Sequence, residues 1–208
     1  MRKITLNFVL IFVSAICFSQ SENNDSNSII LTSEYGSENS EIKDILRFEG
    51  IEYHKLTFKG KGLLGKSYTL SVKEIWDGKI KTDSIIVDSK SIPLESYQTI
   101  NDTSFKFKVI SKLSYNDQLK MTFDFSRFAI SRNFDAVKSG DYSLRNVAEV
   151  SGIKIKTGEK FYLLAYILPY EKDGYKYYCA VESSGEDIIN WGEKFGIKHY
   201  LVFEMVFQ

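Results

Sequence analysis

The dipeptide Asp77-Gly78 is the feature that most limits how this chain can fold. Both central residues of a type I′ turn adopt positive φ, so Asp-Gly between two alternating segments predicts a β-hairpin with a two-residue loop. The flanking residues 67–76 and 79–88 alternate between apolar and polar side chains. Such a loop sets Leu70 opposite Ile85 and gives the hairpin one apolar and one polar face.

Residues 104–114 and 119–127 predict a second hairpin around Asn116-Asp117-Gln118. An odd-numbered loop is needed here, because a two-residue loop would mix the apolar and polar faces. The odd loop pairs Leu113 with Met121. It also gives a predicted core of five residues, Phe105, Phe107, Val109, Phe123 and Phe125.

A third hairpin is predicted from residues 160–170 and 175–182, which flank Asp173-Gly174. Both faces of its first strand are apolar, which is typical of a strand covered on two sides. The register of this hairpin sets Leu168 opposite Cys179.

The remaining pattern adds two strands, residues 51–59 and 200–207, and two short helices, residues 141–150 and 184–195. The second helix follows a capping-box pattern and ends before Gly196. Hairpins with few helices indicate an all-β, mainly antiparallel fold: a single β-sandwich or distorted barrel with one or two short peripheral helices.

Size and charge narrow the class of protein. A chain of 208 residues with 43% hydrophobic residues can bury one sizeable core, which excludes a disordered chain and a disulfide-stapled miniprotein. Its 27 basic and 27 acidic side chains balance, so no nucleic-acid footprint is expected. We expect three parts: a signal peptide at 1–19, a flexible polar linker at 20–40 and a single β-rich domain at 41–208.

The N-terminus has the three regions of a secretory signal: a basic start at Arg2-Lys3, an apolar run over residues 4–16, and small residues before a cleavage site after Ser19. The apolar run is too short to span a bilayer as a stable helix. We therefore expect export to the periplasm, the outer membrane or the exterior. The alternative is a lipid anchor at Cys17, although Ile16 departs from the bacterial lipobox that this segment resembles.

The linker prediction rests on composition, because 14 of the 21 residues from 20 to 40 are Ser, Asn, Asp or Glu. Such a segment cannot bury a core. A short strand at Ile29-Ile30-Leu31 is the one element that the pattern allows.

No residue pattern identifies a reaction. His54 and His199 have no partner at metal-ligand spacing, and a metal site needs three or four ligands. Cys179 is predicted in an apolar position, where a thiol stays protonated and unreactive. There is no phosphate loop and no nucleophile elbow. We expect no cofactor, no metal and no catalytic group.

Aromatic side chains supply the binding candidates. Trp76 lies next to the first hairpin loop, opposite Lys79 and beyond the predicted pair of Glu74 and Lys81, where its ring is expected to be exposed with a cation beside it. If nothing else covers it, the tip of this hairpin contributes to a ligand surface, while Trp191 is structural.

A second candidate surface is formed by four tyrosines. Tyr162, Tyr166 and Tyr170 recur every four residues on one predicted strand face, and Tyr177 is predicted opposite Tyr170. The set is either the rim of the core or a stacking platform for a sugar or a peptide.

These expectations favour a non-catalytic exported domain that binds a glycan or a protein or has a structural role at the cell envelope. Two alternatives stay open: a secreted hydrolase acting on glycans, and a periplasmic inhibitor or partner-binding protein. Converging carboxylates would favour the hydrolase, and a bare sheet edge would favour the partner-binding protein.

Overall fold

The computed structural model describes residues 28–178 and 187–208, which form two five-stranded antiparallel sheets packed face to face. Twelve strands follow one another along the described chain: β1 (Ile30–Tyr35), β2 (Glu52–Lys59), β3 (Tyr68–Trp76), β4 (Lys79–Asp88), β5 (Ser104–Leu113), β6 (Gln118–Asp124), β7 (Ala129–Asp135), β8 (Ser143–Asn146), β9 (Phe161–Ile167), β10 (Tyr170–Lys172), β11 (Tyr175–Tyr177) and β12 (His199–Phe207). One sheet has the order β1-β2-β5-β6-β7, and the other has the order β4-β3-β12-β9-β8. The predicted all-β antiparallel sandwich is confirmed.

Among the residues that the structure describes, three short α-helices and four 3-10 turns connect the strands. The helices are α1 (Ser40–Phe48), α2 (Val147–Val150) and α3 (Trp191–Phe195), and the turns are Lys61–Leu63, Ser89–Ser91, Glu95–Tyr97 and Ile188–Asn190. Helix α1 was not predicted, although its signal is in the sequence: the Asn39 side chain accepts the backbone N–H groups of Glu41 and Ile42, as an N-cap does.

The polar segment before α1 is strand rather than linker from Ile30 to Tyr35, twice the length that the pattern allowed. It pairs with β2 over all six residues, and Ile29 just before it is buried. An edge strand needs apolar residues on one face only, so composition alone underestimates it.

The core lies between the two sheets and is rich in stacked phenylalanines. Phe58 contacts Phe107 of its own sheet at 6.2 Å between ring centroids and Phe207 of the other sheet at 5.2 Å. Four of the five predicted core residues are buried, and Phe105 is partly buried against them.

Strand β12 is buried along its whole length, as the central strand of its sheet. Its inner face enters the Phe core through Phe203 and Phe207. On its outer face, the Tyr200 hydroxyl accepts the Gly192 N–H at 3.0 Å and donates toward the carbonyl of Ile189 at 2.7 Å. The segment that carries α3 therefore covers the outer face, and Trp191 is buried within it, as predicted.

The first hairpin has the predicted loop, but its register shifts twice. Trp76 pairs with Lys79, whereas Leu70 pairs with Val87 and not with Ile85. Two bulges on β4 cause the shift, with Lys81 and Ile86 as the extra residues. As a result, Ile85 faces solvent.

The second hairpin has an odd loop, but the loop begins one residue earlier than predicted. Leu113 pairs with Leu119 instead of Met121. The loop turns at Asp117, whose φ is 56°, and Ser114 N–H bonds to the Gln118 carbonyl. A shift of two in the pairing keeps every side chain on its predicted face.

The third predicted hairpin is divided, because β9 ends at Ile167 and the two-stranded β10–β11 unit follows Pro169. Proline has no N–H for the ladder and so interrupts it. The Asp173-Gly174 turn and the pairing of Tyr170 with Tyr177 are confirmed. The partner predicted for Leu168, Cys179, lies outside the described residues.

The two predicted helices are shorter than expected. Residues 143–146 of the first are strand β8, paired with β9, and only α2 is helical. The second begins at Ile188 as a 3-10 turn, and the predicted capping residues 184–186 lie outside the described residues. It ends, as predicted, at Gly196 in the left-handed region with φ of 67°.

The tip of the first hairpin packs on α3 through two glycines. A Cβ on Gly192 would lie 2.5 Å from the Gly78 Cα and 2.6 Å from its nitrogen, so both backbones meet without side chains between them. The contact fixes the hairpin tip against the helix that covers β12.

We expect Gly192→Ala to lower the free energy of unfolding by roughly 1–3 kcal/mol, because the added methyl group forces two backbones apart. Gly140→Ala is the control, since a Cβ there meets no heavy atom within 4 Å. Urea denaturation of both variants measures the difference. Equal stabilities would show that the glycine contact is not a constraint.

Candidate functional site

Trp76 is half-buried instead of exposed, and the cation over its ring is Lys81, not Lys79. The Lys81 Nζ lies 5.2 Å from the ring centroid because the bulge in β4 turns this side chain across the indole. The Trp76 Nε1 donates to Glu74 Oε1 at 2.5 Å. Lys79 is exposed on the edge strand and pairs with Trp76 through the backbone only.

The Trp76 ring belongs to a buried polar network at one side of the sandwich. It lies 4.2 Å from the His199 ring, and His199 Nδ1 is 2.6 Å from the Tyr142 hydroxyl. Burial lowers the pKa of His199 to about 4 and raises the pKa of Tyr142 to about 12, so both are neutral at physiological pH. These contacts tie β3 and β12 to the segment before β8, which gives the Trp76 ring a structural role. Tyr142 also lines a cavity of about 450 Å³ that Tyr35 and Glu52 border.

The four tyrosines do not form one platform, because a bulge in β9 separates them. Glu204 pairs with Tyr162 while Phe203 pairs with Leu164, which leaves Leu163 as the extra residue. Tyr162 therefore lies on the outer face of its sheet, whereas Tyr166 is buried on the inner face.

The other two tyrosines lie together at a separate place. The Tyr170 ring stacks on Tyr177 at 5.6 Å and on Phe195 of α3 at 5.1 Å. This cluster joins the β10–β11 unit to the helix.

The cleft with the densest set of chemical groups opens at the opposite side of the sandwich, where the edge strand β8 faces β1 and β2. It has a volume of about 460 Å³. We call it the β8 cleft; it is lined by Ser33, Tyr35, Glu52, His54, Ser143, Leu144, Arg145, Asn146, Glu149, Val150 and Tyr178. Its volume lies in the range typical of small-molecule sites.

Glu52 enters the β8 cleft from the start of β2. Its Oε2 accepts the Leu144 N–H at 2.7 Å, a donor at the free edge of β8. Burial raises the pKa of Glu52 to about 7, outweighing this hydrogen bond and the nearby Arg145 charge, both of which lower it. The carboxyl group therefore titrates near neutrality, as is common in functional sites.

His54 contributes an imidazole whose two ring nitrogens have no hydrogen-bond partner in the described part of the chain, although the residue is only 6% exposed. Burial lowers its pKa and outweighs the neighbouring Leu144 backbone and the Glu149 charge, which raise it, so the ring is neutral. The Tyr35 ring packs edge-on against it at 4.9 Å, and Tyr35 is 67% exposed. A buried imidazole without partners costs free energy unless a ligand or water supplies them.

Arg145 and Glu149 carry the formal charges of the cleft. The Arg145 Cζ lies 4.5 Å from the Tyr178 ring centroid, and its buried Nε lacks a partner within the described residues. Glu149 is occupied, since it accepts the backbone N–H of Ser33 at 3.2 Å, the Ser33 hydroxyl and the Asn146 amide at 2.9 Å.

A second cavity of about 380 Å³ lies among the loops around Tyr97 and Phe128. Within the described residues it holds one buried polar atom without a hydrogen-bond partner, the Ser104 hydroxyl, whereas the β8 cleft holds three. Its Asp102 accepts the Thr103 N–H. We therefore regard the β8 cleft as the candidate site.

Within residues 28–178 and 187–208, no cluster of three or more His, Cys, Asp or Glu side chains is arranged to hold a metal ion. The helices of the same ranges are all too short or too polar to cross a membrane.

Sequence reasoning examined His54 only as a metal ligand and did not single out the other residues of the β8 cleft. These residues come from β1, β2, β8 and α2 and, with Tyr178, from just after β11, and the fold alone brings them together.

Comparison with protein-family models, with curated proteins and with solved structures finds no match to this chain.

We expect Glu52→Gln to stabilise the protein at pH 8 but not at pH 4. The raised pKa means that the folded state holds the Glu52 proton more tightly than the unfolded state, so stability falls as the pH rises from 4.5 to about 7. Glutamine does not titrate, and the gain reaches up to about 3 kcal/mol above pH 7.

Urea denaturation at both pH values measures this effect. Glu95→Gln, at an exposed carboxyl group, is the control and should leave the free energy of unfolding unchanged at pH 4 and at pH 8. A Glu52→Gln effect that does not change with pH would contradict the raised pKa.

Proposed function

We propose that this chain is a non-catalytic, exported β-sandwich domain that binds a glycan in the β8 cleft. The observation that carries the proposal is His54, a buried ring that lines a cleft open to solvent and whose two nitrogens have no hydrogen-bond partner among residues 28–178 and 187–208. A bound ligand would supply the missing hydrogen bonds, and the free energy regained would contribute to affinity.

A sugar suits the chemistry of this cleft better than an apolar ligand does. Sugar rings have apolar faces that stack on aromatic side chains, and Tyr35 and Tyr178 supply such surfaces. Their hydroxyl groups both donate and accept, which matches a neutral imidazole, a protonated Glu52 and the Arg145 guanidinium. The volume of about 460 Å³ fits a short glycan end rather than a protein surface.

A secreted glycan hydrolase is the second candidate, because Glu52 has the raised pKa that a general acid needs. Glycoside hydrolysis ordinarily uses two carboxyl groups. The second carboxylate of the cleft, Glu149, already accepts three hydrogen bonds and has little capacity left for water or substrate. Binding without cleavage is therefore favoured, and mass spectrometry of the bound glycan after incubation distinguishes the two.

A partner-binding role would use an open sheet edge. Strand β4 is an edge strand with Ile80 and Ile85 exposed. It also carries Lys79, Lys81 and Asp83, and charges of this kind protect an edge against pairing with another chain. The β8 cleft is thus the stronger candidate surface.

The N-terminal sequence supports an envelope location for this function. If residues 1–19 are a cleaved signal, the intact mass of the exported protein should correspond to a chain that starts at Gln20 without acyl groups. An acylated Cys17 would instead make the protein a lipoprotein, with the domain tethered to a membrane.

The binding proposal is tested with a microarray of bacterial and plant oligosaccharides, followed by calorimetry with the oligosaccharide bound most strongly. We expect Tyr35→Ala to weaken this binding about tenfold, or about 1.4 kcal/mol, through the loss of stacking. Because Tyr35 is exposed, the melting temperature of the Tyr35→Ala variant should be close to that of the wild type.

Tyr115→Ala is the matched control, since Tyr115 is fully exposed in the β5–β6 loop, outside the cleft. Binding should be the same as in the wild type. An array without signal would refute glycan binding, and equal losses in the two variants would move the site away from the β8 cleft.

A further inference from the structure

The hydroxyl groups of a neutral sugar can accept hydrogen bonds from Arg145 in the β8 cleft, but they leave its positive charge unneutralised. Arg145 lies in the short edge strand β8, with its guanidinium over the Tyr178 ring at 4.5 Å. Its Nε is buried without a hydrogen-bond partner, and no ion pair to Arg145 occurs within residues 28–178 and 187–208. A partly buried positive charge without a partner is costly.

The two carboxyl groups of the cleft do not neutralise this charge. The Glu149 carboxylate accepts hydrogen bonds from Ser33 and from Asn146, the N-cap residue of α2. Glu52 accepts the Leu144 N–H, and burial raises its pKa to about 7, so the carboxyl group is protonated below neutral pH. The planar guanidinium is therefore left with donors suited to a carboxylate, which it binds in bidentate geometry.

We propose that the glycan held by the β8 cleft is acidic, and that its carboxylate binds Arg145 while its hydroxyl groups bind His54 and Glu52. This inference rests on the proposed function and names its ligand class, a uronic acid or another carboxylate-bearing sugar. Stacking of Arg145 on Tyr178 orients the guanidinium in advance, so less conformational entropy is lost when the carboxylate arrives.

The test uses an array of matched sugar pairs that differ in a carboxylate: glucuronate and glucose, galacturonate and galactose, mannuronate and mannose. It is run at pH 5.5, where Glu52 is protonated and the uronic acids are ionised. We expect the acidic member of at least one pair to bind at least tenfold more strongly than its neutral partner. The methyl ester of that uronic acid should bind like the neutral sugar.

Two variants assign this preference to Arg145. Arg145→Gln should lose at least tenfold in affinity for the acidic sugar while its weak binding of the neutral sugar is kept. Arg132→Gln removes the same charge from the exposed face of β7 and should bind like the wild type. Arg145→Lys keeps the charge but not the planar guanidinium, so it should keep part of the preference for the acidic sugar. This variant also tests the inference if Arg145→Gln folds poorly.

The outcomes separate the inference from the proposed function. Equal binding of acidic and neutral sugars overturns the acidic ligand and leaves glycan binding standing. Equal loss of both sugars in a folded Arg145→Gln variant assigns Arg145 a structural role and also overturns the inference. No binding to any sugar overturns the proposed function and the inference with it.

Discussion

Strand β12 is buried on both faces, so other parts of the protein have to pack against each face and exclude water from it. The Phe-rich face of the opposing sheet covers one side. The segment before β12 folds back over the other, held by the Tyr200 hydroxyl. The Gly78–Gly192 contact then fixes the β3–β4 hairpin to that segment. The position of α3 on the outer face of β12 thus keeps water from the central strand of the sheet.

The two sides of the sandwich differ in how far their buried polar groups are hydrogen-bonded. Around Trp76 and Glu74 the donors and acceptors meet except at the buried His199 Nε2, which has no partner in the described residues, and aromatic rings close this side. Along β8 the two sheets do not close on each other and leave a cleft open to solvent. Polar groups from both sheets line this cleft, and some of them make no hydrogen bond within the described residues. Unpaired buried groups reduce stability. Three of the six such atoms in the described residues, both His54 ring nitrogens and the Arg145 Nε, lie in this accessible cleft, which a ligand explains better than packing does.

Sequence reasoning predicted those parts of the fold that short-range chemistry controls. The Asp-Gly loops, the alternating faces and the all-β class follow from turn geometry and periodicity. It failed at the bulges, because an extra residue such as Lys81 or Leu163 is set by packing across the sheet and leaves no local signal. The β8 cleft was missed for a related reason, since Tyr35, Glu52 and Arg145 are distant in sequence and become neighbours only through strand order.

The central place of β12 also has a kinetic consequence. Its partner β3 lies roughly 120 residues earlier in the chain, so the pairing closes a very long loop. Contacts of this kind slow folding, and until β12 arrives the inward edges of β3 and β9 have no neighbour. An incomplete sheet with two open apolar strands is prone to associate with other chains. The yield of folded protein should therefore depend on chain concentration and on holdase chaperones more than the stability of the finished sandwich would suggest.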